Sequence, residues 1–202
     1  MLMEVSFIEP IYTIGYTAFE TLAEFLSVLQ KYGITDLLDV RTTPYSIYHN
    51  AYNQPVLENV LPDINITYRF FGSAFGARQP FITNSIIDFE KIAASVNFRN
   101  GYEQVVEMMQ RGMRVCMMCA EKAPECCHRA IMVARVFHEN GIPVEHILSE
   151  ETTITHAELE DKLLEKYGLD DTQLSLFESR SREERLQEAY RAANREIGWK
   201  TA

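Results

Sequence analysis

The stretch Val115-Cys116-Met117-Met118-Cys119 decides the fold, because a near-continuous apolar run of this kind is typical of a strand buried in a parallel sheet. A helix is predicted over residues 127–139, ended by Asn140-Gly141, and residues 143–148 have the pattern of a further strand. A strand, a helix and a second strand in this order predict a βαβ unit.

The same alternation continues toward the N-terminus. We expect a helix between the first two strands, started by a capping box of Thr17 with Glu20 and ended by Gly33. A glycine- and aromatic-rich loop, residues 71–80, leads into a helix that ends at Gln110. The predicted N-terminal strands are residues 11–14, 36–41 and 66–70. We therefore expect a mostly parallel sheet, with ligands bound beyond the carboxyl ends of its strands.

After Ser149 the pattern changes to helices alone. The predicted helices are residues 155–167, opened by a capping box of Thr155 with Glu158, and residues 181–197, opened by Ser181 with Glu184. The sequence therefore predicts an α/β fold over residues 1–150, a Rossmann-like three-layer sandwich with a mostly parallel sheet. Residues 151–202 are predicted to form a helical C-terminal extension, with a linker at 169–180.

Length and composition limit the classes of function. A chain of 202 residues with 47% hydrophobic residues can bury one substantial core. Its net charge of -10 argues against broad adhesion to nucleic acid or to anionic lipid, which needs a dominant basic surface. The first residues lack the pattern of a secretory signal and no stretch has the apolar length of a membrane span, so we expect a cytoplasmic protein with no membrane contact.

Three polar groups are candidates for binding an anionic, phosphate-bearing ligand. Gly15-Tyr16-Thr17 joins a strand to a helix start, where free N–H groups favour an anion, although a simple tight turn fits equally well. Arg41 ends a strand, so its guanidinium either reaches the cleft or forms an internal ion pair with Asp39 or Glu121. Arg129 is the third candidate.

The densest chemical signal lies between Cys119 and Arg129. Cys127, at a helix start beside two basic residues, is the favoured nucleophile because such surroundings lower the pKa of a thiol. Cys119 is the second candidate, with Glu121 or His128 as the proton carrier. In the alternative interpretation, Cys119 is an ordinary core residue and the polar residues only hold the loop.

Zinc is a competing interpretation of the cysteines. The soft ligands in this short span are Cys116, Cys119, Cys126, Cys127 and His128. On a strand, however, residues three apart point to opposite faces, so Cys116 and Cys119 are not expected to converge. The prediction from the sequence is therefore no metal and no cofactor, with zinc as an alternative.

Several short motifs follow one another in an order that a known family shares. They are Thr13-Ile14-Gly15-Tyr16, Asp39-Val40-Arg41 with Pro44 and Ser46, Tyr68 leading to Gly72 and Gly76, and Cys119-Ala120-Glu121 with Pro124 and Cys127-His128-Arg129. On these motifs, residues 11–148 resemble the bacterial and archaeal family called domain of unknown function 488. The resemblance implies a Rossmann-like fold with a polar pocket at the sheet edge, and no established reaction. The family's consecutive glycines are missing from residues 71–76, and Cys116 and Cys126 lie outside the shared pattern.

A second, independent resemblance lies in the predicted linker. Gln173-Leu174-Ser175-Leu176-Phe177 is similar to the short peptides with which bacterial polymerases and repair proteins bind the β sliding clamp. In an extended peptide, Leu174, Leu176 and Phe177 can fill apolar pockets while Gln173 hydrogen-bonds at the rim. The alternative is an internal hook, in which these side chains pack on the parent domain. We expect docking to the DNA sliding clamp.

Three functions remain open from the sequence. The first is a thiol-dependent hydrolase or transferase that acts on a nucleotide or a nucleic-acid end in DNA replication or repair. The second is a non-catalytic module that binds a ligand or partner and is brought to the clamp by its tail. The third is a thiol redox or zinc-binding protein that uses the cysteine cluster.

Overall fold

The computed structural model describes residues 9–83, 85–171 and 180–198, which are organised around a six-stranded sheet. The strands are β1 (Ile11–Gly15), β2 (Asp36–Asp39), β3 (Thr67–Phe70), β4 (Ile82–Thr83), β5 (Ile86–Ile87), β6 (Val115–Cys119), β7 (Val144–Ile147) and β8 (Thr153–Thr155). The large sheet has the order β3-β2-β6-β1-β7-β8, and β4 and β5 form a separate antiparallel pair. In the large sheet only β8 runs antiparallel to its neighbour.

Helices cover both faces of this sheet. They are α1 (Leu22–Lys31), α2 (Gln54–Val60), α3 (Gly72–Phe75), α4 (Phe89–Ala93), α5 (Val96–Gln110), α6 (Arg135–Glu139), α7 (His156–Lys166) and α8 (Arg182–Ile197). One face is packed by α1 and α2 through residues such as Phe25 and Leu57, and the other by helices that include α5, α6 and α7. The predicted mostly parallel three-layer α/β fold is confirmed. None of the described helices is long and apolar enough to cross a membrane.

The start of α1 differs from the prediction. The helix is capped by Thr21, whose hydroxyl oxygen accepts from the N–H of Glu24 at 3.1 Å, and the Glu24 carboxylate accepts from the N–H of Glu20. The predicted capping box of Thr17 with Glu20 is therefore wrong by one turn. Thr17 is used elsewhere, because its hydroxyl donates to the carbonyl oxygen of Ala120 at 2.6 Å.

The C-terminal segment is part of the same core. It does not consist of helices alone, because β8 pairs with β7 and widens the sheet. Leu163 of α7 and Tyr190 of α8 are buried in the cluster that also contains Phe137 of α6. The capping boxes predicted for α7 and α8 are confirmed. Among the described residues, α7 and α8 therefore share a hydrophobic core with the α/β part of the chain.

The helix predicted over residues 127–139 begins with an unusual turn. Arg129–Ala134 is π-helical and passes directly into α6. All six of its residues are buried, between α4 and α8 and the strands β1 and β6. A π-helical turn is rare and often lies at a functional site. Here it follows immediately after Cys127 and His128.

Candidate functional site

Three parallel strands end side by side at one edge of the sheet. Strand β6 lies between β1 and β2. Its last residue, Cys119, is the register partner of Gly15 at the end of β1. The N–H of Val40, just past β2, donates to the carbonyl oxygen of Met118 at 3.1 Å. The carboxyl ends of β1, β2 and β6 therefore meet, as the parallel alternation predicts.

Four side chains converge at this edge, and we call them the four-residue cluster: Cys119, Glu121, Cys127 and His128. The sulfurs of Cys119 and Cys127 lie 3.0 and 2.9 Å from Oε2 of Glu121. The same sulfurs lie 3.8 and 3.9 Å from Nδ1 of His128. One sulfur, nitrogen or oxygen atom from each residue is within 4.8 Å of all the others. The structure thus brings together all four residues that the sequence singled out as nucleophile or proton carrier.

The backbone of Val40 fixes the orientation of the His128 ring. Its Nε2 lies 3.0 Å from the carbonyl oxygen of Val40. A carbonyl oxygen only accepts, so Nε2 carries a proton and donates it. In the neutral imidazole, Nδ1 is then the nitrogen with a free lone pair, and it faces the two sulfurs.

The two thiols differ in their electrostatic surroundings. Burial would raise the pKa of Cys127, but a hydrogen bond from Cys119 and the positive charges of Arg129 and His128 outweigh it and hold this pKa well below its ordinary value. Burial and the negative charge on Cys127 raise the pKa of Cys119. The cluster therefore favours one thiol and one thiolate in the absence of other ligands.

The other two members of the cluster are also perturbed. Although Glu121 is an exposed residue, its carboxyl group packs against the thiols, and this desolvation together with the charge on Cys127 raises its pKa. For His128, burial favours the neutral ring, but the hydrogen bond and negative charge of Cys127 outweigh it and raise the pKa. Perturbed groups that meet in one place are characteristic of functional sites.

Arg129 holds the loop beside the cluster. Its side chain is fully buried, and its guanidinium donates to the carbonyl oxygens of Glu121 at 2.5 Å and Lys122 at 3.2 Å. These contacts fix the backbone that carries Glu121. The predicted anion-binding candidate is thus bound to main-chain carbonyls, and its charge contributes to the field at Cys127.

The segment Gly15-Tyr16-Thr17 serves the same loop. A Cβ atom at Gly15 would lie 1.8 Å from the carbonyl oxygen of Glu121, so only glycine allows this approach. The N–H of Thr17 donates to the carbonyl oxygen of Ala120 at 3.1 Å. The N–H group of Thr17, one of those expected to bind an anion, is therefore paired within the chain. The turn that follows, Tyr16–Ala18, is a single 3-10 turn.

Arg41 forms the internal ion pair that the sequence left open. Its Nε and Nη2 atoms donate to the two carboxylate oxygens of Asp39 at 2.8 and 2.5 Å, and Nη2 also donates to the carbonyl oxygen of Tyr52. Asp39 accepts a further bond from the hydroxyl of Tyr68 at 2.7 Å. The guanidinium lies over the ring of Tyr16, 5.3 Å from its centroid. Arg41 therefore stabilises the sheet edge that carries Val40.

The remaining cysteines lie outside the cluster. Cys116 is buried in the core under α1 and α2, whereas Cys119 belongs to the core on the other face. Cys126 is exposed. The set of five soft ligands considered from the sequence is therefore wrong, because Cys116 and Cys119 diverge as the strand geometry predicts. The carboxylate of Glu121 could serve as a ligand together with the sulfurs of Cys119 and Cys127 and the ring of His128.

A buried polar chain was not predicted. His146 accepts from the hydroxyl of Thr13 at 2.7 Å and donates to Nδ1 of His156 at 3.0 Å. Nε2 of His156 donates to the hydroxyl oxygen of Tyr190 at 2.8 Å, and that hydroxyl donates to Glu160 at 3.0 Å. One choice of neutral tautomers satisfies every link, because the Glu160 carboxylate accepts at one end and Thr13 donates at the other. The chain ties α7 and α8 to β1 and β7.

The comparisons with known proteins identify a family for this chain. The chain has an α/β fold with a cluster of thiols at the carboxyl edge of its sheet. The family described as domain of unknown function DUF488 matches residues 21–136, and the chain belongs to that family. No curated protein and no solved structure matches this chain. The residues of the clamp-like peptide, 173–177, lie outside the described residues.

Proposed function

We propose that the protein is a zinc-dependent enzyme, in which Cys119, Cys127 and His128 hold the metal ion and Glu121 is its fourth ligand. The observation that carries this proposal is the convergence of two sulfurs, one imidazole nitrogen and one carboxylate oxygen within 4.8 Å of one another. Zinc prefers four ligands of these types in tetrahedral geometry.

The distances from the two sulfurs to the His128 nitrogen are close to those of such a centre. Zinc bonds of about 2.0–2.3 Å to nitrogen, oxygen and sulfur place neighbouring ligand atoms about 3.3–3.8 Å apart in a tetrahedron. The sulfurs are 3.8 and 3.9 Å from the His128 nitrogen and about half an ångström or more too close to the carboxylate oxygen, at 3.0 and 2.9 Å. The carboxylate of Glu121 would therefore have to move outward from the sulfurs to admit the ion.

The contact between His128 and Val40 supports the same proposal independently. A histidine that binds a metal usually donates its other ring nitrogen to a carboxylate or carbonyl, which fixes the tautomer and the ring orientation. The Nε2 atom of His128 makes this contact, and its Nδ1 faces the sulfurs. A free catalytic thiol, by contrast, needs access to substrate, and Cys119 and Cys127 are only 3% and 1% exposed.

The charges indicate which substrates the centre would attract. A zinc ion, two thiolates and a neutral imidazole sum to zero, and buried Arg129 adds a positive charge next to them. Asp39 and Arg41 neutralise each other nearby. We therefore propose an anionic, phosphate-bearing substrate and a hydrolytic reaction in which the ion polarises the bond that is cleaved.

The test is metal analysis of the full chain with two serine variants. The wild-type protein should bind about one equivalent of zinc, Cys127→Ser should lose most of it, and Cys126→Ser, which changes the exposed neighbour, should retain it. If the wild-type protein binds no zinc and Cys127 reacts with iodoacetamide faster than Cys126, the cluster is a thiol nucleophile and the zinc proposal is wrong.

We also propose that the peptide Gln173-Leu174-Ser175-Leu176-Phe177 directs the protein to the DNA sliding clamp, and so to nucleotide or nucleic-acid ends in replication or repair. The proposal is supported by the sequence of the peptide and by its position between α7 and α8. Binding to the clamp would also bring a chain with a net charge of -10 close to DNA without a basic surface of its own. Without zinc or turnover, the same peptide would make the protein a non-catalytic clamp-associated module.

A further inference from the structure

The geometry points to Glu121 as an exchangeable ligand, so that the metal centre has one coordination position for a small anionic oxygen or nitrogen donor. This inference rests on the proposed zinc site and goes beyond it, since a zinc centre closed by four permanent ligands has a structural role only. A centre with three permanent ligands and one open position can bind substrate.

Exposure separates Glu121 from the other three ligands. Cys119 and Cys127 are almost fully buried, and His128 is partly buried and held by Val40. Glu121 is the one exposed residue of the cluster. Glu121 is therefore the member of the cluster that borders solvent, where an incoming ligand would arrive.

The backbone at Glu121 is rigid, so movement is confined to the side chain. The carbonyl oxygen of Ala120 accepts both the N–H and the hydroxyl of Thr17. The carbonyl oxygens of Glu121 and Lys122 accept from the guanidinium of Arg129. With three consecutive carbonyls anchored, the Glu121 side chain can rotate away from the metal and return without any rearrangement of the loop.

The same geometry selects the class of incoming ligand. When the Glu121 carboxylate leaves, the centre becomes neutral and the charge of Arg129 is no longer balanced, so an anion is favoured over a cation. The incoming ligand takes the place of one carboxylate oxygen, so a single hard donor atom fits the vacated position. A phosphate oxygen or another small anion meets both conditions.

Cobalt substitution tests the inference, because thiolate-bound Co²⁺ has visible absorption bands that respond to a change of ligand. The full chain is loaded with Co²⁺ and titrated with azide as the probe. Azide should change the bands of the wild-type protein, and Glu121→Ala should bind azide about tenfold or more tightly because a tethered competitor has been removed. Glu121→Gln, whose amide oxygen is a weaker ligand, should lie between the two.

Glu125→Ala is the matched control, since Glu125 is a partly exposed glutamate of the same loop and is not in the cluster. Its azide affinity should equal that of the wild-type protein. Equal azide affinity in the wild-type protein and in both Glu121 variants, or no response to azide in any of them, would overturn the inference while leaving the metal site intact. If the wild-type protein with Co²⁺ shows no thiolate-to-metal bands, the zinc proposal itself fails, and this inference fails with it.

Discussion

The Nε2 atom of His128 lies 3.0 Å from the carbonyl oxygen of Val40, so the residue that follows strand β2 sets the orientation of an imidazole that follows strand β6. The contact joins residues 88 positions apart. It ties the two strand ends together at the point where the thiols converge. The neutral tautomer of His128 is therefore determined by the fold and needs no ligand to select it.

His128→Ala should weaken zinc binding strongly. It removes a proposed direct ligand, so the affinity should fall by at least the roughly 10–100-fold that loss of an outer hydrogen-bond partner costs. Competition with a chromophoric chelator measures this change. His138→Ala, a partly buried histidine outside the cluster, is the control and should keep the wild-type affinity. Equal affinities in the two variants would mean that His128 is not a ligand.

Gly15→Ala should destabilise the fold and disturb the proposed metal site together. The added methyl group would lie 1.8 Å from the carbonyl oxygen of Glu121, and relieving this overlap should cost about 3 kcal/mol of unfolding free energy. At Gly141 the space is open but φ is 79°, so Gly141→Ala should cost only about 1 kcal/mol. Urea unfolding compares the two variants. Equal losses of unfolding free energy in the two variants would show that the loop carrying Glu121 moves away from the added methyl group at little cost.

Acid should destabilise the protein through the buried histidines. Burial, with the charge of His138 next in importance, lowers the pKa of His156 from 6.5 to about 3, so the unfolded chain binds more protons than the folded chain between these values. The contribution of His156 to the free energy of unfolding should therefore be complete above pH 6.5. It should fall as the pH drops toward 3, by up to about 1.4 kcal/mol per pH unit. His146 shifts in the same direction.

The control for this pH dependence is His156→Gln, whose amide can accept from His146 and donate to Tyr190 but does not titrate. Urea unfolding between pH 5 and pH 6.5 should give a shallower slope for the variant than for the wild-type protein, because the carboxylates contribute equally to both. Parallel slopes would contradict the prediction that His156 is neutral in the folded state.

Tyr190→Phe should cost stability through the polar groups that it leaves unpaired. The hydroxyl joins His156 to Glu160 in a buried setting, so its loss should lower the unfolding free energy by about 1–3 kcal/mol. Tyr167 is a useful comparison, because its hydroxyl bonds to exposed Glu196. Tyr167→Phe should cost about 0.5 kcal/mol or less. A similar cost for both tyrosines would mean that the buried chain has no special role.

The peptide at residues 173–177 should bind purified bacterial sliding clamp with modest affinity, because a short flexible segment loses conformational freedom on docking. Changing both Leu176 and Phe177 to alanine should abolish clamp binding of the full chain while leaving its melting temperature nearly unchanged. If the double variant melts at a much lower temperature and the wild-type protein has no clamp affinity, the segment is an internal hook.

The sequence predicted the parts of the site that are close together along the chain. Cys119, Glu121, Cys127 and His128 lie within one strand end, one loop and one helix start, so the βαβ pattern alone places them at one edge. It also indicated that Cys116 and Cys119 diverge, because side chains alternate along a strand.

The parts that escaped prediction depend on contacts between distant residues. The hydrogen bond from Thr13 to His146 spans 133 positions, and no spacing rule indicates it. The full burial of Arg129 depends on main-chain carbonyls of a loop whose path the sequence does not specify. Strand β8 has only three residues, too few for a recognisable alternation of polar and apolar side chains.

The position of β1 limits how far the chain can be shortened. The part that matches the family begins at residue 21, yet β1 ends at Gly15 and lies between β6 and β7 in the middle of the sheet. A fragment cut to the matching residues would lack β1, β7 and β8, which are half of the six strands of the large sheet, along with the glycine that lets the Glu121 loop approach. It would also lose α8, whose Tyr190 closes the buried polar chain. Fragments intended for expression should therefore start before Ile11 and retain α8.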